Sequence, residues 1–535
     1  MNFDYDHYLS SLTPWFYGGI ALVLLSVILF EYHNNKRLAL LFLVAGNLLM
    51  SGTYSVMQPF LHLWDEQVHA LVAKNMMTYP FKPMLIANPH LDYDYKIWLG
   101  NHVWLHKQPW FLWQIALSFR LFGISEFTLR IPSMLMFSGL LLMVYRMGVV
   151  IKNKNTGFYA AVLLAGSNFL LQLVTGAKAT DHNDVAFVFY VTASMWAWFE
   201  FENKGKRHWL ILTGLFSGIA ILNKWLPGLL VYSGWFFAIL FSKERRKQWK
   251  TYSDMLLSIF VTIITALPWQ LYILWRFPKE SLYEYGLNSL HFLQSIEKHK
   301  GDYFFHFDHL ATIYGDYFKY IISAALILLL FIKVKKSFKI AVFTYVIIVY
   351  TFYTFASTKM IAFPFIVAPL IYIVVGAGLS SIIEIIKVPA HRGKGFVRMF
   401  KPVLTILIIS FMFINFLNLP HLLLTSSKSP RALFEKKIRY TLLYKKLPQM
   451  LGEGEYEFFY CRNFDHIKLM FYTDYNAHGY LPNKKQTAKL TEKNITPVVF
   501  DNGRLPKWIV GDKRIIKLKT YVWLEKYLGK PETYR

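Results

Sequence analysis

Long apolar blocks alternate along this chain with short clusters of basic residues. Pro14 to Phe30, Leu38 to Val56 and Val403 to Leu424 are each nearly free of charge. Each approaches the ~20 residues a helix needs to cross a hydrocarbon layer ~30 Å thick. Backbone groups find no water there, so a crossing segment is a helix or part of a closed barrel. Barrel strands alternate with period two, and these blocks do not. The pattern predicts helices at 14–30, 38–56, 126–150, 157–175, 185–201, 208–222, 226–241, 254–275, 317–332, 338–356, 361–386 and 403–424. The result is a mainly α, polytopic membrane protein with about twelve transmembrane helices.

The connections fall into two sets. One carries Lys36/Arg37, Lys152/Lys154, Lys204/Lys206/Arg207, Lys243/Arg245/Arg246/Lys247/Lys250, Lys333/Lys335/Lys336/Lys339 and Arg392/Lys394/Arg398/Lys401. Short, basic connections belong on the cytoplasmic side. The other set, 57–125, 176–184, 223–225, 276–316 and 357–360, is poorer in Lys and Arg and is assigned to the exterior, with both termini. No Lys or Arg precedes Lys36, so the basic start of a signal peptide is lacking and 14–30 reads as a retained helix. The membrane module therefore spans 1–424. Residues 425–535 are charged and hold no span. Strand-like pieces at Pro497–Phe500 and Trp508–Val510 mark them as a small external α/β domain.

Composition supports this class: of 535 residues 55% are hydrophobic, 18% aromatic and only 17% charged. The net charge of +26 would suit a nucleic-acid binder. Much of it lies in the short connections, where membrane orientation explains it, so nucleic acid is excluded as a partner and membrane lipid takes its place. Cys461 is the only cysteine, which rules out an intrachain disulfide and a cysteine metal cage.

The unusual polar residues gather in the external set. Asp65-Glu66 follows the second helix, where carboxylates near a membrane face mark function or simply end a solvated loop. Asp184, in Thr180-Asp181-His182-Asn183-Asp184, suits a helix cap as well as a second acidic group across a cavity. Lys107, Lys224 and Lys359 stand singly beside membrane segments. They either snorkel to water or converge on a phosphate. The stretch from Glu297 through His299 to His306, Asp308 and His309 is an interfacial loop or a divalent-metal site. An enzyme acting on a lipid phosphate and a lipid or glycan transporter both fit. A transporter should bury polar residues or break helices near the midplane. Neither pattern is seen, which favours the enzyme.

At these residues the chain resembles the GT-C glycosyltransferases that use polyprenyl-phosphate sugars, namely the protein O-mannosyltransferases and the bacterial aminoarabinose transferases of lipid A. Asp65-Glu66 followed by Ala70 to Met76 is similar to the family's Asp-Glu motif and the helix after it. His106-Lys107-Gln108-Pro109-Trp110-Phe111 and then Leu121-Phe122-Gly123-Ile124-Ser125-Glu126 to Arg130, Pro132 and Ser133 resemble its most specific stretch. Asp184, Gly214 to Ala220 with Asn223-Lys224, His299-Lys300-Gly301 and Ser357-Thr358-Lys359 follow in the family's order. Val68-His69, Gln108 and His106 depart from it.

The resemblance implies inverting transfer of a sugar from a polyprenyl phosphate to an acceptor hydroxyl on a protein, lipid A or a glycan, at the outer face of a bacterial inner membrane. It implies Asp65 as base, with Glu66 or Asp184 orienting the acceptor, and Lys107, Lys359 and Lys224 on the donor phosphate. It also implies a zinc ion at His106 and His299.

Overall fold

A computed structural model describes residues 5–296, 299–386, 394–423, 428–461 and 464–519. All twelve predicted segments are helical. Among the described residues, seven helices are long and apolar enough to cross a membrane, or nine if two bent pairs each count as one span. The bent pairs are Lys154–Ala165 with Asn168–Val174, at 59°, and Phe305–Tyr314 with Phe318–Phe331, at 103°. Asp181–Lys204, His208–Lys224 and Leu226–Leu240 complete the twelve but fall short in length or apolar character. The chain is an integral membrane protein.

Local chemistry sets the helix ends. Ser125 and Thr128 form a reciprocal capping box that starts Glu126–Ile151. Asn153 and Ser167 accept backbone N–H groups at the starts of the next two helices, so the chain breaks cleanly at Gly166-Ser167. The first helix begins at Tyr5, more than two turns before the predicted start at Pro14. Tyr5–Glu31 and Lys36–Val56 pack with almost no space between them. A Cβ on Gly46 would lie 2.7 Å from the Gly19 carbonyl oxygen, so only glycine fits there. Phe363–Ile385 is the most enclosed span, whereas Trp249–Arg276 exposes Phe260, Ile264, Leu267, Leu271 and Trp275. An apolar stripe of that length suits lipid.

The 57–125 connection is itself structured, with helices Asp65–Met76 and Trp110–Phe122. Beyond the last span, β1 (Glu455–Phe459), β2 (Asn476–Ala477), β3 (Ile495–Asp501) and β4 (Ile516–Lys519) form one parallel sheet in the order β2-β1-β3-β4. Pro497–Phe500 falls inside β3 as expected. Trp508–Val510 does not form a strand: it lies in the short helix Lys507–Gly511, whose first turn closes on the Pro506 carbonyl through the Ile509 N–H at 2.9 Å. Three apolar residues after a proline fit a helical turn as well as a strand, and periodicity cannot separate them.

The sheet region docks on the 57–125 connection. Helix Asp465–Tyr472 packs on Asp65–Met76, and Lys74 Nζ donates to the carbonyls of Met470, Phe471 and Thr473 at 3.2, 3.0 and 2.9 Å. A cation at a helix C-terminus satisfies carbonyls that the helix leaves free. Lys74→Met strips three acceptors of their donor. The expected cost is about 1–3 kcal/mol, read as faster limited proteolysis at the exposed 452–454 turn in purified protein. Unchanged cleavage would show that Lys74 does not hold the docked state.

Candidate active site

Two helix N-termini meet at the expected site. Asp65–Met76 starts with Asp65 and Glu66 in its first turn, and Asp181–Lys204 starts with Asp181 and Asp184 in its own. Acidic groups there complement the helix dipole. The backbone is strained at each approach. Trp64 has φ 68°, Thr180 φ 68°, and Trp225, next to Lys224, φ 63°. Each such non-glycine residue costs of order 1–3 kcal/mol, and such strain gathers where geometry serves function.

Thr180 joins the two acids. Its N–H donates to Asp65 Oδ2 at 2.7 Å, and its hydroxyl donates to Asp184. Asp184 also accepts from Lys224 Nζ, which lies 4.8 Å from the centre of the Phe363 ring. One helical turn after Asp65, His69 Nδ1 lies 2.8 Å from Asp181 Oδ1. Burial pushes the His69 pKa down to about 3, so this ring is neutral. Burial by itself would raise the Asp65 pKa. Lys107 and the Thr180 N–H hold it below its ordinary value. Asp65 is therefore a carboxylate at neutral pH.

The 106–108 segment is anchored on either side of Lys107. His106 Nδ1 is 3.2 Å from Glu284 Oε2, and its ring stacks on Trp98. Gln108 Oε1 accepts from Gln270 Nε2 at 2.8 Å. Half-buried Lys107 makes no hydrogen bond or ion pair to the described residues, while its charge acts on Asp65. A held carboxylate beside an uncommitted ammonium can take a proton and neutralise an incoming anion.

The remaining expected residues take other places. Glu66 is fully buried and faces Arg130, with Arg130 Nε donating to Oε1 at 2.8 Å and the His62 N–H to Oε2 at 2.6 Å. An acceptor cannot reach it, so the expected orienting contact is corrected to a bracing role. Gly176, at φ 75°, lies against the same carboxylate, and any side chain there would collide with it. Lys359 is buried and donates to the carbonyls of Tyr353 and Thr354 at 2.8 and 2.5 Å, capping Lys336–Phe355. Burial lowers its pKa. Two of its three N–H groups are thus committed to backbone. Lys359 N–H donates to the His299 carbonyl at 3.0 Å, which ties the 299–309 loop to this turn. Glu297 and Lys298 lie outside the described residues.

Among the described residues, no three His, Cys, Asp or Glu side chains are set to hold a metal ion. His106 Nδ1 is paired with Glu284, no third ligand joins His106 and His299 among the described residues, and no step is derived through a metal.

Arg130 is the centre that the site expectations lacked. It is fully buried, and its guanidinium also donates to the carbonyls of Ser55, Gln58 and Phe60 at 2.8, 2.7 and 2.9 Å. With both Glu66 oxygens also engaged, all five N–H groups are satisfied. Arg130 fixes the turn that leads into Asp65. A charged residue inside an apolar block was the signal for it.

Known proteins share this architecture. The structure of ArnT from Cupriavidus metallidurans bound to undecaprenyl phosphate superposes with a TM-score of 0.59 at 13% identity, over 85% of this chain and 89% of that one. The apo oligosaccharyltransferase of Archaeoglobus fulgidus gives 0.54 at 12% identity, over 82% of this chain and 64% of that one.

The chain has the fold of the GT-C glycosyltransferases.

Residues 106–272, which hold Lys107, Arg130, Asp184 and Lys224, match the family described as dolichyl-phosphate-mannose-protein mannosyltransferase. An uncharacterized protein of Aquifex aeolicus is 25% identical over 162 residues, which are 30% of this chain and 32% of that protein. That likeness spans about a third of the relative's length. In this GT-C fold the Asp65–Thr180–Asp184 bracket lies where two helix N-termini converge beside Lys107.

Proposed function

We propose that the chain is an inverting glycosyltransferase that moves a sugar from a polyprenyl phosphate to an acceptor hydroxyl, at the outer face of a bacterial inner membrane. The observation that carries this reading is the ionised Asp65 beside the uncommitted Lys107. The GT-C fold and the undecaprenyl phosphate bound to ArnT support the donor class. The density of Lys and Arg in the opposite connections supports the outer face.

In the proposed step, the acceptor oxygen attacks the anomeric carbon and its proton passes to Asp65. The bond from that carbon to the donor phosphate breaks, and the electron pair leaves with the lipid phosphate. The phosphate gains one negative charge, which Lys107 neutralises. The two roles are coupled. Lys107 lowers the Asp65 pKa in the free protein. When Lys107 turns to the phosphate, that influence weakens and Asp65 becomes the stronger base. Asp184, held by Thr180 and Lys224, positions Asp65 through their shared threonine. Lys359 has one N–H left for the donor.

Two measurements test this. Lys107→Ala should weaken donor binding and lower the transfer rate by about 10²-fold or more, as expected for loss of a fixed charge at a developing anion. Unchanged donor affinity and rate would remove Lys107 from the phosphate. The anomeric configuration of the product, read by NMR, should be inverted. A retained configuration would contradict direct attack. Lipid or glycan transport is the competing reading, and it predicts a substrate that crosses the bilayer without covalent change.

A further inference from the structure

The turn into Asp65 is held from beyond the membrane module. Trp64, just before the proposed base, has φ 68° and ψ −114°. Glycine takes that backbone conformation freely, and a bulky side chain rarely adopts it. Trp64 is the N-cap of Asp65–Met76, yet no side chain caps that helix start. Arg130 fixes the turn as far as the Phe60 carbonyl. Past it, Leu63 and Trp64 are 38% and 47% exposed. The direction in which Asp65 leaves the turn therefore depends on what keeps Trp64 in this state.

Phe464 of the C-terminal region supplies a hold. Its ring centre lies 4.4 Å from that of Trp64, with the planes tilted by 44°. Aromatic pairs at this spacing attract beyond the area they bury. Phe464 repeats the geometry of its partner. It is the N-cap of Asp465–Tyr472, has φ 59° and lacks a side-chain cap. Two helices thus begin at aromatic residues of positive φ, and the two rings pack together.

The Phe464 side of this contact is anchored. Buried Asp465 accepts from the Tyr444 hydroxyl at 2.9 Å and from Lys468 Nζ at 3.0 Å. His466 Nε2 lies 3.0 Å from the Leu99 carbonyl oxygen, within the connection that carries Asp65. At the far end, Lys74 holds the carbonyls of Met470, Phe471 and Thr473. The two helices therefore run side by side in one direction, joined by Trp64 and Phe464 at their starts and by Lys74 at their ends.

We propose that Phe464 is a positioning residue for sugar transfer, which acts through Trp64 to keep the Asp65 carboxylate on the Thr180 N–H. The proposal rests on Asp65 as the base. It gives the C-terminal region a part in the chemical step, distinct from any part in holding the acceptor. A ring that touched the acceptor would act on binding instead.

The test uses full-length protein in detergent at saturating labelled donor, polyprenyl-phosphate mannose or aminoarabinose, with a membrane extract titrated as acceptor. Phe464→Ala should lower kcat by about 10²-fold, the scale of a ~1 Å misplacement, at an unchanged half-saturating amount of extract. Phe464→Tyr keeps the ring and should restore kcat. If Phe464→Ala does not fold, Trp64→Gly and Trp64→Ala carry the test. Both lack the indole, but glycine alone takes φ 68° without strain, so Trp64→Gly should retain about tenfold more kcat than Trp64→Ala. Full kcat in folded Phe464→Ala, no rescue by Phe464→Tyr, or Trp64→Gly no better than Trp64→Ala would overturn the proposal. A loss confined to the half-saturating amount of extract would overturn it in favour of an acceptor contact. Asp65→Asn separates the two levels. Full activity there would remove the base and this proposal with it, whereas inactive Asp65→Asn beside fully active Phe464→Ala would remove Phe464 alone.

Discussion

Asp65→Asn in purified protein is expected to lower the rate of sugar transfer by about 10²–10⁴-fold, the range for loss of a positioned general base. The substitution keeps shape and can still accept from the Thr180 N–H, which lies 2.7 Å from Asp65 Oδ2. The melting temperature and donor affinity should therefore change little, and the loss should fall on kcat. The pH profile adds a second check. Asp65 is held below its ordinary value of 3.8, so the base is ionised above that pH and is lost only as pH falls through the depressed pKa. The acid limb of kcat/KM, which reports the free enzyme, should lie below that value. The acid limb of kcat should lie higher, because a donor phosphate draws Lys107 away from Asp65 in the complex. Coincident limbs would argue against the coupling of Lys107 to Asp65.

Arg130→Met carries the largest expected effect on stability. The guanidinium and Glu66 are both fully buried, and Arg130 also holds the carbonyls of Ser55, Gln58 and Phe60. Removing one partner of a buried pair leaves the other charge uncompensated, at a cost of about 3–5 kcal/mol. The sign of the pH dependence follows. Burial would raise the Glu66 pKa, but Arg130 and His182 hold it well below the usual carboxylate range. The stabilisation is therefore present above the ordinary Glu pKa and fades as pH falls through the depressed one. Thermal unfolding in detergent measures it. Arg130→Met should melt far below the wild type, and adding Glu66→Gln should recover part of the loss, because the stranded charge is gone. A single variant within about 1 kcal/mol of the wild type would show that the network does not brace the Asp65 turn.

Much of the helical fold was legible, because lipid demands apolar blocks of fixed length and short basic connections mark one side. Asp65, Asp184 and Lys107 stood out for a related reason, as charges beside membrane segments that are otherwise apolar. Their joint was not visible. Thr180 links the two acids only because its backbone takes a positive φ, and nothing about a threonine in sequence announces that conformation. Lys359 reads in sequence like any lone cation. Only the fold shows that it caps the helix before it. Arg130 carried a visible signal, a charge within an apolar block, yet its five donors are assigned by three-dimensional neighbours from 55 to 66. Trp508–Val510 was misread because three apolar residues have no period.

Sugar transfer in vesicles of purified protein tests the central claim most directly. Wild type and Asp65→Asn would be offered radiolabelled polyprenyl-phosphate mannose and polyprenyl-phosphate aminoarabinose, with a membrane extract as acceptor. Label moving covalently to an acceptor with the wild type, and not with Asp65→Asn, is the predicted result. Label that crosses the bilayer still attached to its lipid, equally with both proteins, would contradict the account and establish a transporter.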